Sequence, residues 1–446
     1  MTELWYRLNI LGEKKFFEKE HLIDGLIVPA HLIAYYELAL PEFLSKLNLP
    51  ILIDPMTYVW GIEPHYILKD GELKKSYKKL VKKLDCTIAK ILGVQRIQSI
   101  KADSPGFNEF INKVLKFQLL DEDTEKTPRK RSMERIKSYG ETVKTEEPNL
   151  FQPYALIPPY FHFETVLGPS YSKTVYAAKF AKNSDYGKKH RICPCLCMGK
   201  SILTDKDQIA TVIEDFKDYP EIILWVDNFD ETHADLSELT DFITLISKFK
   251  EAKTDVINLY GGYFSLILNR FGLSKLSCGI CYSHRKEVSA AVGGGGLPIR
   301  YYEPHLKNKL TTADIIRLYS DIPELFTCNC TVCSTHSEKY RNVQSTTEKA
   351  SILKDFFGES KKSAKMKGEC KIDWTNSRFH FLYARKKEQK FSNKSTLDVI
   401  ISDLREKYEL LKNRVDLTPY RIDSFEYLKL WADSLEEKSE EIAKSS

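Results

Sequence analysis

The chain reads as an α/β protein built as a (β/α)8 barrel of the TIM type, with an inserted metal-binding subdomain and C-terminal helices. Three observations predict this. Short apolar runs bounded by breakers recur along the chain with amphipathic helical stretches between them, the pattern of strands in a mainly parallel sheet. One early run, Leu49-Pro50-Ile51-Leu52-Ile53-Asp54, ends in a carboxylate and is stopped by Pro55. A carboxylate at the C-terminal end of a buried strand lies where such sheets keep their chemistry. Late in the chain, Cys328-Asn329-Cys330-Thr331-Val332-Cys333 gathers three thiols within six residues.

Bulk properties set the bounds. The 446 residues allow one barrel-sized domain plus appendages. Charged residues at 29% and hydrophobic residues at 42% give a globular composition rather than a disordered one. A net charge of +5 permits a polyanionic partner without demanding one, so local clusters of Lys and Arg matter more than the sum. No run of 18 apolar residues is present, and Met1-Thr2-Glu3-Leu4-Trp5-Tyr6-Arg7 lacks the pattern of a signal peptide, so no membrane partner is expected. Ten cysteines in this setting point to metal ligands or buried thiols in a reducing cytoplasm, not to a disulfide framework.

Residues 1–325 are expected to form the barrel. Gly25-Leu26-Ile27-Val28-Pro29 is a strand, 32–47 a helix, and the run ending in Asp54 the next strand. Asp54 also reads as the cap of the following turn. Residues 72–118 read as helical. Leu80, Val81, Leu84, Ile88, Ile91 and Leu92 make a buried stripe, and Lys74, Lys75, Lys78, Lys79, Lys82 and Lys83 form a face that is either solvated or able to track phosphates. From about 120 to 148 the chain turns charged, an exposed insertion holding the basic knot Arg129-Lys130-Arg131. The Pro-, Tyr- and Phe-rich stretch 151–163 suits a pocket wall, a base-stacking platform or an ordinary packed loop.

Strand-like runs then follow at 192–198, 222–227, 255–260, 275–282 and 297–302, with helices such as 207–216 and 236–249 between them. With the two early strands the count is about seven, which favours a barrel over an open doubly wound sheet. No glycine-rich fingerprint follows the first strand, and the tetraglycine at 293–296 opens no helix, so neither reads as a phosphate loop. Residues 386–446 read as a charged helical extension.

Residues 326–385 hold the cysteine cluster. Cys328, Cys330 and Cys333 can converge on one tetrahedral metal, zinc by default, with His336 or His380 as the fourth ligand; three buried free thiols are the plainer reading. Cys193, Cys195 and Cys197 alternate in a strand-like run and share one face, as small buried hydrophobes do; a second metal site with His190 is the sharper alternative.

The order of these parts resembles the tRNA-guanine transglycosylase superfamily, (β/α)8 barrels with a Cys-x-Cys-x2-Cys zinc motif followed by a distant His. It is most similar to the DpdA-type branch, DNA-guanine transglycosylases that insert 7-cyano-7-deazaguanine into DNA. The likeness spans about residues 20–385, and the zinc motif is its most specific part. It implies that Asp54 is a catalytic carboxylate, although the Ser-Gly-Gly that follows it in the family is absent here. It implies that Asp227 reads the base, with Asn258, Gly261 and Gly262 beside it, Asn258 standing where the family has Gln. It selects His380 over His336 as the fourth ligand of a structural zinc.

The family's second catalytic Asp has no counterpart. Glu303, in Ile299-Arg300-Tyr301-Tyr302-Glu303-Pro304-His305, is the nearest carboxylate, with Asp227 or Asp230 as other partners for Asp54. The resemblance further implies a covalent Asp-linked deoxyribose intermediate, guanine-containing duplex DNA with the base extruded, an ATPase partner protein and a homodimer. A tRNA-acting transglycosylase, an inactive zinc-stabilised nucleic-acid-binding barrel and a metal-dependent hydrolase using the 193–197 region are the competing readings.

Overall fold

Runs of β-branched and aromatic residues fold here into one parallel sheet. The structure is a computed structural model that describes residues 1–37, 39–62, 68–69, 72–90, 94–120, 151–280, 287–289, 299–358, 372–412 and 425–445. The sheet strands are β1 (Glu3–Arg7), β2 (Gly25–Pro29), β3 (Ile51–Asp54), β4 (His162–Phe163), β5 (Cys195–Met198), β6 (Glu221–Val226), β7 (Asp255–Asn258) and β8 (Leu273–Gly279). Their spatial order is β3-β2-β1-β8-β7-β6-β5-β4, and every ladder is parallel. The last strand therefore pairs with the first. β2, β3, β5 and β6 are buried along their whole length, as strands covered on both faces must be.

The sheet curls into a half-barrel that is open between β3 and β4, where no ladder forms among the described residues. On that side the backbone N–H of Tyr154 donates to the Ile51 carbonyl at 2.8 Å, and Thr57 and Tyr160 exchange two hydrogen bonds.

Two sheet strands, β1 and β4, are not among the runs read from the sequence. One run that was expected in the sheet lies elsewhere: Arg300–Glu303 (β9) pairs antiparallel with Asn308–Thr311 (β10) as a separate hairpin. The Glu303 carboxylate accepts the backbone N–H groups of His305 and Leu306, and this closes the turn. The helix expected over 32–47 is two, Ala30–Tyr35 and Ala39–Ser45, because Tyr36 leaves helical geometry. Residues 72–118 contain Lys75–Leu84 and Pro105–Gln118, the second capped by Ser104 ahead of Pro105. On Lys75–Leu84, Tyr77, Leu80 and Leu84 are buried. Its lysines face outward, and Lys78 and Lys79 pair with Glu72 and Glu37. Lys206–Phe216 and Leu236–Glu251 begin where Asp205 and Asp235 cap them.

The charged insertion with Arg129-Lys130-Arg131 and the tetraglycine lie outside the described residues. Past the hairpin come Thr312–Asp321, Ser334–Asn342, Thr346–Phe357 and then α1 (Trp374–Lys394), which runs straight through the boundary expected at 385. α1 lies against the start of β1 and β2. Gln389 donates to the Thr2 carbonyl, Lys386 pairs with Asp24 at 2.7 Å, and Phe381 meets Tyr6 edge-on at 6.3 Å. The last helices, α2 (Leu397–Lys412) and α3 (Glu426–Ser445), pack on each other, and α3 also packs on Leu236–Glu251. Among the described residues no helix is long and apolar enough to cross a membrane.

Candidate functional site

The cysteine cluster closes around His380. Cys328, Cys330 and Cys333 place their sulfurs 3.5, 3.5 and 3.3 Å from His380 Nδ1. A tetrahedral ion with sulfur at about 2.3 Å and nitrogen at about 2.0 Å sets S···N near 3.5 Å, so the four side chains fit one metal. Cys333 caps the helix Ser334–Asn342, and its N–H returns to the Cys330 carbonyl, which folds the three thiols onto one side. The other ring nitrogen of His380 contacts the Tyr302 carbonyl at 2.6 Å, leaving Nδ1 for the metal, and the Tyr301 ring stacks on it at 4.0 Å. Burial disfavours the charged ring, but the sulfurs of Cys328 and Cys330 outweigh it and raise the His380 pKa to about 10. A metal that binds there displaces that proton. His336 is not part of this group: it faces Asp355 and stacks on Phe356.

Asp54 is 2% exposed at the end of β3. Arg7, the last residue of β1, donates to its Oδ2 at 2.7 Å, while Met56 N–H and the Tyr160 hydroxyl each donate to Oδ1 at 2.8 Å. Burial, and then Asp54 beside it, pushes the Tyr160 phenol well up, so it stays a neutral donor. Arg7 is held charged against burial by Tyr260 and Asp54. Arg7 Nη1 and Ser277 Oγ are buried without hydrogen-bond partners. Tyr58, Trp225 and Tyr260 make an aromatic layer close by. In the aromatic stretch 151–163, residues 155–161 and Phe163 are buried, while Phe151, Tyr154 and His162 are partly exposed.

The remaining predicted residues divide between two places. Asp227 and Asp230 follow β6. Asp227 accepts from Val288 N–H at 2.7 Å and faces His162, whereas Asp230 takes Thr232 and His233. Asn258 ends β7 and donates to Ser265 Oγ, which bonds the buried Glu231. Burial raises the Glu231 carboxyl. A Cβ at Gly261 would stand 2.6 Å from Asn258 Nδ2, Ser265 Oγ and Leu276 Cδ1, so a larger residue there would force these side chains to shift; Gly262 opens the helix Tyr263–Ile267.

Glu303 is the exception. It is fully buried in the hairpin, where it also takes His305 Nδ1 at 2.9 Å and Tyr319 OH at 3.4 Å. Cys193, Cys195 and Cys197 are buried, and no grouping of metal-ligating residues among those described includes them. Sequence reasoning placed Tyr160 and His162 only within the aromatic stretch 151–163, without individual roles, and missed Arg7 and Glu164. A charge closing the apolar run Leu4-Trp5-Tyr6 was the available signal for Arg7. His and Glu two apart in an aromatic run were the signal for His162 and Glu164. No protein-family model and no curated protein matches the chain.

Proposed function

We propose that the chain is a DNA-guanine transglycosylase that exchanges guanine in DNA for 7-cyano-7-deazaguanine, on a (β/α)8 barrel braced by a structural zinc. The observation that carries this reading is the Cys328–Cys330–Cys333–His380 group, hung on a sheet with barrel strand order. Zinc suits three thiolates and an imidazole. Four protein ligands leave no open position, so the ion stabilises and does not react.

Asp54 attacks C1′ of the deoxyribose, and guanine departs with the bonding electrons and takes a proton from a carboxylic acid. The incoming deazapurine, its ring N–H deprotonated by the resulting carboxylate, displaces Asp54 and restores the original configuration, as in retaining glycosidases. Asp230 is the better partner, because Glu303 is committed to its hairpin. Asp227 and Asn258, with Gly261 and Gly262 close by, meet the base edge. Asp54 is 2% exposed, so the segment after β3 moves aside for substrate. Extruding the base costs on the order of a few kcal/mol, a natural role for an ATPase partner. A homodimer in the cytoplasm completes the reading.

A second reading has its own support. Asp54 is fully engaged by Arg7, Met56 and Tyr160, as suits an inactive zinc-stabilised nucleic-acid-binding barrel. Purified protein incubated with guanine-containing DNA and radiolabelled 7-cyano-7-deazaguanine separates the two. Label in DNA that vanishes in Asp54→Asn, with zinc and DNA affinity retained, supports base exchange. Label in tRNA alone moves the substrate to tRNA. No label in either, even with a lysate of the source cell, leaves the inactive barrel.

A further inference from the structure

A second group of ligand-type side chains lies on the C-terminal side of the sheet, on elements that share nothing with the cysteine cluster. His162, Glu164 and Asp227 bring one imidazole nitrogen and two carboxylate oxygens within 4.8 Å of one another. His162 and Glu164 are two residues apart on and just past β4, so both leave the same face. Asp227 comes from the end of β6, two strands away. β5 lies between them and gives way to Gly199, where any Cβ would collide with the Glu164 carboxylate. Glycine at that position therefore lets Glu164 lean across β5.

The geometry is that of ligands awaiting an ion more than of an ion pair. His162 Nε2 is buried and has no hydrogen-bond partner. It stands 3.4 Å from Glu164 Oε1 and 3.5 Å from Asp227 Oδ2. Charge-assisted hydrogen bonds close to about 2.7–2.9 Å. Two N/O ligands at about 2.1 Å from a tetrahedral ion stand about 3.4 Å apart. The other oxygen of Asp227 is fixed by the Val288 N–H, the outer support that ligating carboxylates usually have.

We propose that His162, Glu164 and Asp227 bind a divalent cation of the zinc or manganese class. Three protein ligands leave a coordination position open, unlike the closed Cys3His group. That position takes an oxygen or nitrogen donor such as a nucleobase carbonyl. On the base-exchange reading, Asp227 then addresses the base through the ion, but the metal site itself does not depend on that reading.

The test is a calorimetric titration of full-length protein, already carrying its tightly held ion, with Zn2+ and separately with Mn2+. Metal content is measured before and after. Wild type is expected to take up one further equivalent of at least one of the two ions. Glu164→Gln, at a side chain 66% exposed and so safe for folding, and His162→Ala each weaken that uptake roughly tenfold or more while the first ion stays. No second equivalent of either ion in wild type overturns the site. So does a second equivalent that both variants leave untouched. Base exchange is not read in this experiment, so failure of the site and failure of the transglycosylase reading are distinguishable.

Discussion

At the scale of single residues, the Arg7–Asp54 pair is the most consequential contact in the sheet. Both groups are almost wholly shielded from water, with side chains 4% and 3% exposed. Removing one partner strands the other as a buried charge, which costs about 3–5 kcal/mol, whereas replacing both is far milder. Arg7→Met is therefore expected to lower unfolding stability in urea by about that amount. Arg7→Met with Asp54→Leu should recover much of the loss, so that the cycle shows strong coupling. Additive losses would mean that the pair carries little of the stability. The metal ligands make a different forecast. The thiols and His380 must shed protons to bind an ion, so protons compete with the metal and its content falls as pH falls. Metal content measured across a series of descending pH should show progressive release, and Cys333→Ser should lose the ion already at neutral pH.

At the scale of elements, the start of Leu236–Glu251 rests on Asp235, whose carboxylate accepts the Glu238 N–H at 2.9 Å. Asp235→Ala should cost about 1 kcal/mol by chemical denaturation. α3 is anchored more deeply: Trp431 is 1% exposed, donates to the Glu231 carbonyl at 2.7 Å and stacks on Phe264. Trp431→Ala should cost about 3–5 kcal/mol and open α3 to limited proteolysis ahead of the sheet. How legible these elements were in sequence follows from how local their causes are. Apolar runs such as Ile51-Leu52-Ile53 act within a few residues, and they marked most strands. β4 is only two residues inside a proline-rich stretch, too short for any periodicity. The run ending in Tyr302 had a strand's composition, but the turn that pairs it antiparallel depends on Glu303 catching His305 and Leu306. Spacing left His336 and His380 both open as the fourth ligand, and the family resemblance is what selected His380. The pairing of Arg7 with Asp54 joins strands 47 residues apart and was not.

At the scale of the whole molecule, α1 joins the metal lobe to the sheet. Near its N-terminus His380 faces the three thiols. Near its C-terminus Gln389 and Asn393 hold Thr2. The sheet keeps its own reasons to stay folded: seven parallel ladders among the described residues, and strands buried throughout in β2, β3, β5 and β6. The lobe is smaller, and Cys328 and Cys330 are only partly buried, so an ion held by the four side chains would support its fold far more than the sheet's. A strong chelator is therefore expected to act in two stages, measured by hydrogen exchange. Protection is lost first over 326–342 and the first turns of α1, while β5 to β7 and the Gln389 end of α1 keep theirs. Loss of protection everywhere at once would instead make the metal a keystone of the entire fold. It would also mean that α1 transmits the state of the ion to β1, and through Arg7 to Asp54.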